Sequence, residues 1–146
     1  MDAKIQEFVS SKRIAVVGVS RTEQKMGNGI YKELKLRGYE VFGVNPHLET
    51  IDGDKCYPSL AELAGKVDAV VICVPSQQAA LVLRDAAAAG IKKVWLQQGS
   101  QSLETAKVAK EAGISPVEGK CILMYAGEVK SIHAFHRFFA KLFGQY

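Results

Sequence analysis

The sequence predicts an α/β fold, in which a doubly wound, mainly parallel sheet of five to six strands carries helices on both faces. Short apolar runs such as "RIAVVG" and "VDAVVICVP" have the pattern of strands that are buried on both faces. Amphipathic stretches of helical length separate these runs, and strands joined by such helices form right-handed parallel crossovers. Together these observations indicate a Rossmann-like architecture.

The first third of the chain starts this alternation. Its predicted elements are a helix at 4–11, a strand at 13–18, a helix at 27–38 and a strand at 39–46. In the first helix, Ile5, Phe8 and Val9 share one side, which is the apolar stripe of an amphipathic helix. Gly38 ends the second helix as a C-cap.

The alternation continues after a turn signal at Asp52-Gly53. The further predicted elements are a short strand at 55–57, a short helix at 59–63, a strand at 67–75, a helix at 76–90, a strand at 92–99, a helix at 102–113 and a last short strand within 114–121. In a doubly wound sheet, ligands lie beyond the carboxyl ends of the strands, where the strand order reverses. We therefore expect a ligand site beside a central first strand, flanked by the strands that end at Asn45 and Val74.

Charge and cysteine content limit the class of protein. The formal net charge is +4, and the basic residues are spread along the chain, so we predict no nucleic-acid partner. No apolar stretch is long enough to span a membrane, and the N-terminus lacks the apolar core of a secretory signal. Cys56, Cys73 and Cys121 are an odd number without CxxC spacing, which argues against disulfides and zinc. We expect a single cytoplasmic domain, 1–146, without a metal site.

The turn after the first strand has the composition of a phosphate-binding loop. Gly18 has no Cβ, so the backbone there can approach a phosphate closely. The amide groups that begin the following helix would point at the anion. Ser20 adds a hydroxyl, and Arg21 and Lys25 add positive charge. Asn28, between two glycines, is a candidate N-cap of that helix.

The same turn departs from the fingerprint of NAD-binding proteins. That fingerprint is G-x-G-x-x-G, whereas here Ser20 stands two residues after Gly18 and the next glycine is Gly27. An NAD enzyme usually has an acid at the end of the second strand, where this chain has Asn45. An atypical NAD(P)-dependent oxidoreductase, or a tight turn without any ligand, remains an alternative.

Several segments in order and spacing resemble the small bacterial CoA-binding domain proteins, which are relatives of the N-terminal domain of the succinyl-CoA synthetase alpha subunit. These segments are "RIAVVGVS", "KELKLRGYEVFGVNP", "IDGDKCYPSLAEL", "VDAVVICVP", "VWLQQGSQSLETAKVAKEAG" and "GKCILM". The resemblance covers nearly all of the chain up to Met124. It implies a domain that binds coenzyme A at the carboxyl ends of the strands.

The resemblance also implies a role for individual residues. The residues that would face the diphosphate are Gly18, Val19, Ser20 and Lys25. Asn45 and Pro46 would lie by the ribose and adenine. Val74 and Pro75 would form a wall of the groove. Gln98 and Gly99 would lie towards the pantetheine. Arg21 and Asn28, from the glycine turn, complete the candidate cofactor-binding set.

The residues favour binding over catalysis. The synthetase reaction that the family resembles needs a phosphorylated histidine from a second domain and a partner subunit, and no counterpart is recognisable here. We therefore expect a CoA or acyl-CoA carrier, sensor or presenting protein, with no catalytic residue assigned; an interaction module that has lost its ligand is the other alternative. Cys73 is expected to be inert core, whereas Cys121 could approach the CoA thiol and form a mixed disulfide.

The C-terminal segment is predicted to form an amphipathic helix at about 129–143. Its wide apolar stripe contains Ile132, Phe135, Phe138, Phe139, Leu142 and Phe143. Such a stripe is explained by packing on its own domain, by a homodimer interface or, least well, by a membrane surface. A homodimer through this helix is the protein partner that the stripe indicates.

Overall fold

The computed structural model describes residues 3–22 and 25–126. These residues form a seven-stranded sheet with helices on both faces. The helices are α1 Ala3–Val9, α2 Met26–Leu36, α3 Ser76–Ala88 and α4 Leu103–Ala112. The strands are β1 Arg13–Val17, β2 Glu40–Val44, β3 Thr50–Ile51, β4 Asp54–Tyr57, β5 Ala69–Ile72, β6 Lys93–Leu96 and β7 Val117–Glu118. Two short 3₁₀ helices span Leu60–Leu63 and Ile122–Met124.

The first strand is central, as the sequence predicts. The strand order is β3-β4-β2-β1-β5-β6-β7, and every pair is parallel except β3 with β4. Val17 at the end of β1 is in register with Val44 of β2 and Ile72 of β5. The loops that follow these three strands therefore emerge side by side at one edge, which we call the carboxyl edge.

Each face of the sheet carries its own apolar core. Ile14 and Val16 of β1 belong to one core, and Ala15 and Val17 belong to the other, because successive side chains of a strand point to opposite faces. Helices α1 and α2 cover the first face, and α3 and α4 cover the second. The expected fold class, with helices on both faces, is confirmed.

The sheet has one strand more than the five to six that the sequence predicts. The extra strand is β3, which has two residues and pairs antiparallel with β4. Two residues are too few to show an apolar pattern, so the sequence indicated only the turn between β3 and β4. That predicted turn is confirmed, since Asp52 and Gly53 have φ values of 50° and 82°, as a two-residue hairpin turn of type I′ requires.

The predicted helix at 129–143, and with it the homodimer surface, lies outside the described residues. Within 3–22 and 25–126, no helix is both long and apolar enough to cross a lipid bilayer.

Candidate functional site

Two cavities lie along the carboxyl edge and meet at Gly18 and Val74, which line both of them. The first, of about 470 Å³, lies between the ends of β1 and β2 and helix α3; we call it the base-side cavity. The second, of about 360 Å³, lies between the start of α2 and the ends of β5 and β6; we call it the phosphate-side cavity. Together they form one groove across the point where the strand order reverses, which is where ligands bind in such sheets.

Gly18 and Gly27 allow the strand, the loop and the helix to approach one another closely. Gly18 has a φ of +126°, and a Cβ on it would lie 2.8 Å from the carbonyl carbon of Cys73. A Cβ on Gly27 would lie 2.6 Å from the carbonyl carbon of Gly18. Real Cβ atoms essentially never approach backbone this closely. Any side chain at either position would therefore push α2 or the β5 end out of place.

Two asparagine side chains fix the backbone of the β1–α2 loop. Asn28 accepts a hydrogen bond at its Oδ1 from the Ser20 amide at 2.7 Å and donates from its Nδ2 to the Ser20 carbonyl at 2.8 Å. Asn45 donates from its Nδ2 to the Val19 carbonyl at 2.8 Å. Because Asn28 is only 2% exposed and both ends of its amide are committed, it holds the loop rather than facing the groove.

The expectation that Asn28 caps helix α2 is therefore wrong. Lys25 occupies the N-cap position, and its carbonyl accepts from the amides of Asn28 and Gly29. The side-chain amide of the buried Asn28 bonds to Ser20 of the loop instead, because Gly27 brings the first helical turn against Gly18. The amides of Met26 and Gly27 precede the first intrahelical bond, so they have no carbonyl partner within the helix.

The start of α2 is electropositive on the groove side. The partial positive charge of a helix N-terminus lies here, next to the Lys25 side chain, which lines the phosphate-side cavity. No acidic residue of the described chain lines that cavity. Ser20 also lines it, and its hydroxyl bonds to the Thr22 amide and carbonyl at 3.1 and 3.3 Å, which stiffens the loop.

The loops after β5 and β6 form the opposite wall of the phosphate-side cavity. Pro75 is the N-cap of α3, and Val74 precedes it. Ser100 is buried and donates its hydroxyl to the Val74 carbonyl at 2.5 Å, which ties the two loops together. Gln98 and Gly99 line the same cavity and are exposed; the Gln98 side chain donates to the Gly119 carbonyl at 3.4 Å, and the Gly99 amide donates to Gln101 Oε1 at 3.1 Å.

The end of β2 is a turn closed by Asn45. Its Oδ1 accepts from the His47 amide at 2.7 Å, and Pro46 lies between them at the rim of the base-side cavity. Arg21 reaches this turn from the β1–α2 loop and donates to the His47 carbonyl at 3.5 Å. Arg21 is exposed and lines neither cavity.

All of the predicted site residues except Arg21 and Asn28 line one of the two cavities. The sequence analysis missed the far walls of the base-side cavity. These residues are Pro58, Ser59 and Leu60 after β4, and Gln78, Leu81, Val82 and Asp85 on α3. A spacing of i, i+3, i+4 and i+7 could have shown that the α3 residues share a face, although not which face.

The burial of the two cysteines differs in part from what the sequence suggests. Cys121 is 3% exposed and lines neither cavity, so the expectation that it could approach a ligand thiol is wrong for this conformation. Cys73, expected to be core, does pack against the core of the first face, but it is only partly buried and also lines the phosphate-side cavity. Burial raises the pKa of the Cys73 thiol to about 12 and also raises the pKa of Cys121, so both are neutral thiols at physiological pH.

The parallel sheet, the glycine-lined groove and the helix N-terminus are typical of α/β domains that bind phosphate-bearing ligands at the carboxyl edge. A family model described as a CoA binding domain matches residues 12–126, and the chain belongs to that family. The resemblance drawn from the sequence is thereby confirmed. The chain is homologous to the CoA-binding region of ADP-forming acetate–CoA ligases, a family similar to succinyl-CoA synthetase.

Relatives of two sizes are found. The Bacillus subtilis (strain 168) protein YneT is 33% identical over 121 residues, which are 82% of this chain and 90% of YneT. A solved structure of a conserved hypothetical protein from Pyrococcus furiosus is 41% identical with a TM-score of 0.73, over 76% of this chain and 96% of that one. ADP-forming acetate–CoA ligase I of Archaeoglobus fulgidus is 29% identical over 136 residues, which are 86% of this chain and only 20% of the ligase.

Proposed function

We propose that this chain binds coenzyme A, or an acyl-CoA, along the groove at its carboxyl edge. The observation that carries the proposal is the junction of the two cavities at Gly18 and Val74. One cavity offers a helix N-terminus and Lys25 for the diphosphate, and the other offers apolar walls for the base. The proposed ligand crosses from one to the other over Gly18, where no Cβ obstructs it.

The end of β2 supports CoA over NAD. NAD-binding proteins use an acid there to bond the ribose hydroxyls. Asn45 occupies the position here, and its amide is already bonded to Val19 and His47. A cationic Arg21 beside the turn suits a ribose that carries a phosphate, a feature that CoA shares with NADP and that NAD lacks.

We propose further that binding is not followed by chemistry on this chain, and that it acts as a carrier, sensor or presenting protein in the cytoplasm. The chain spans about a fifth of the length of the Archaeoglobus ligase. The described residues that line the phosphate-side cavity include no histidine or carboxylate to move a proton, and the Cys73 thiol there is neutral. The ligase activity in the name of the Archaeoglobus protein is not assigned to this chain.

Titration calorimetry with CoA, acetyl-CoA, NAD and NADP tests the ligand. We expect CoA and acetyl-CoA to bind with similar affinity, because the two cavities are proposed to hold the diphosphate and the base, which both ligands share. We expect both to bind more tightly than either dinucleotide. Tighter binding of NAD or NADP would overturn the assignment in favour of an oxidoreductase. Binding of none of the four would favour an interaction module.

Replacing Lys25 tests the position of the phosphates. We expect Lys25→Gln to weaken CoA binding by about 1–3 kcal/mol, because a charge-assisted contact to phosphate is lost. Lys107→Gln is the matched control, since Lys107 is exposed on α4 and lines neither cavity. Calorimetry should show an unchanged affinity for the control. An equal loss in both variants would mean that Lys25 acts only through net charge.

A further inference from the structure

Helix α3 presents one continuous stripe to the base-side cavity. Gln78, Leu81, Val82 and Asp85 all line it, and their spacing of i, i+3, i+4 and i+7 places them on one face. The opposite face carries residues that are buried in the core of the sheet. These residues are Ala79, Ala80, Leu83 and Ala86. The register of α3 is therefore fixed by the core, and the stripe cannot rotate away from the cavity.

The cavity has the form of an apolar slot. Leu81 and Val82 wall it on the α3 side, and Pro46, Pro58 and Leu60 wall it on the side of the β2 and β4 ends. Its volume of about 470 Å³ lies within the range of small-molecule sites. Leu81 is 62% exposed, which leaves a large apolar side chain uncovered beside the slot. A flat aromatic base between these walls would cover it.

Among the described residues that line this slot, Asp85 is the only one with a carboxylate side chain. Asp85 is exposed, and its carboxylate forms no hydrogen bond or ion pair within the described part of the chain, whereas its neighbour Arg84 pairs with Glu104 of α4 at 3.8 Å. Asp85 lies two helical turns after Gln78, whose backbone amide donates to the carbonyl of Pro75, a residue that lines the phosphate-side cavity. The slot thus has a neutral polar group towards the phosphates and an anion at its far end.

We infer that Asp85 selects the purine base of the bound nucleotide, accepting a hydrogen bond from the 6-amino group of adenine. This inference rests on the proposed function, because it requires the base to occupy the slot. A carboxylate accepts hydrogen bonds but donates none when ionised, so it favours adenine, with its 6-amino donor, over a purine that has no donor at this edge. Gln78 cannot make this choice, since its amide both donates and accepts.

Adenosine 3′,5′-bisphosphate and purine riboside 3′,5′-bisphosphate test the inference, because they differ only in the 6-amino group and carry no thiol. For the unaltered protein we expect the adenine ligand to bind about 10- to 100-fold more tightly, the range for a hydrogen bond to a charged group. For Asp85→Asn, whose amide can turn to donate or accept, we expect the ratio of the two dissociation constants to fall to within about threefold.

Glu111→Gln provides the matched control. Glu111 is exposed on α4 and lines neither cavity, so this variant removes the same charge without touching the slot. Its ratio should equal that of the unaltered protein. If the unaltered protein does not prefer adenine, or if Asp85→Asn weakens both ligands equally, the inference is wrong while the proposed function stands. If CoA and both bisphosphates fail to bind, the proposed function is wrong, and the inference falls with it.

Discussion

The two ends of strand β1 handle their polar groups in opposite ways. At the amino end, Arg13 donates to Asp68 from its side chain at 3.0 and 3.4 Å and from its backbone amide at 3.2 Å, so the two residues satisfy each other. At the carboxyl end, the loop backbone is held by Asn28 and Asn45, and the cation beside it, Lys25, lines an open cavity.

This difference separates structure from function along a single strand. At the amino end the two charges pair with each other, and an ion pair between exposed side chains adds little to stability. The carboxyl end uses buried amides to fix the backbone, which leaves a helix N-terminus and a positive side chain open to an anion. A preorganised loop does not have to be ordered when the ligand arrives, so less binding free energy is lost.

The largest expected effect comes from Gly18→Ala. The added methyl group would overlap the Cys73 carbonyl in a backbone conformation of φ +126° that side chains rarely adopt. We expect a loss of at least about 3 kcal/mol in the free energy of unfolding, measured by urea denaturation, and loss of CoA binding.

Gly38→Ala is the control for that variant. Gly38 also has a positive φ, +99°, but a Cβ there meets nothing within 4 Å. We expect a cost of about 1–2 kcal/mol from backbone strain alone and unchanged ligand affinity. If both alanine variants lose the same free energy of unfolding, the close approach of Gly18 to Cys73 does not contribute to the cost of the substitution.

The next effect in size tests the asparagine that holds the loop. Asn28→Ala removes two hydrogen bonds to Ser20 from a side chain that is 2% exposed, and we expect a loss of about 2–3 kcal/mol in the free energy of unfolding. CoA affinity, measured under conditions where the variant is folded, should fall as well, because the loop would have to be ordered on binding. Unchanged stability and affinity would show that the loop keeps its shape without Asn28.

The position of the groove could be predicted because its signals are local. The apolar run before Gly18 and the runs before Asn45 and Val74 each identify a strand by themselves, and the rules of doubly wound sheets then bring their ends together. Ten residues nominated for the ligand line the groove for this reason: Gly18, Val19, Ser20, Lys25, Asn45, Pro46, Val74, Pro75, Gln98 and Gly99.

The remaining features depend on contacts in the folded structure that a local sequence pattern does not show. Asn28 between two glycines has the local features of an N-cap, and only the approach of Gly27 to Gly18 turns its amide onto Ser20. Similarly, Cys73 follows an apolar run and Cys121 follows the polar residues 118–120, yet Cys121 is the more deeply buried of the two. Which face of α3 lines the cavity is likewise set by the core.

The smallest expected effect is at the amino end of β1, in Asp68→Asn. Because the side chains of Asp68 and Arg13 are 34% and 44% exposed, we expect the melting temperature to fall by no more than about 3 °C at neutral pH. The hydrogen bonds from Arg13 hold the pKa of Asp68 below its usual value, so this contribution is present above about pH 4 and is lost as the pH falls through the folded pKa. The difference between the two proteins should therefore vanish in acid, and CoA affinity should be the same in both at neutral pH. A loss of CoA affinity in Asp68→Asn would show that the two ends of β1 are coupled.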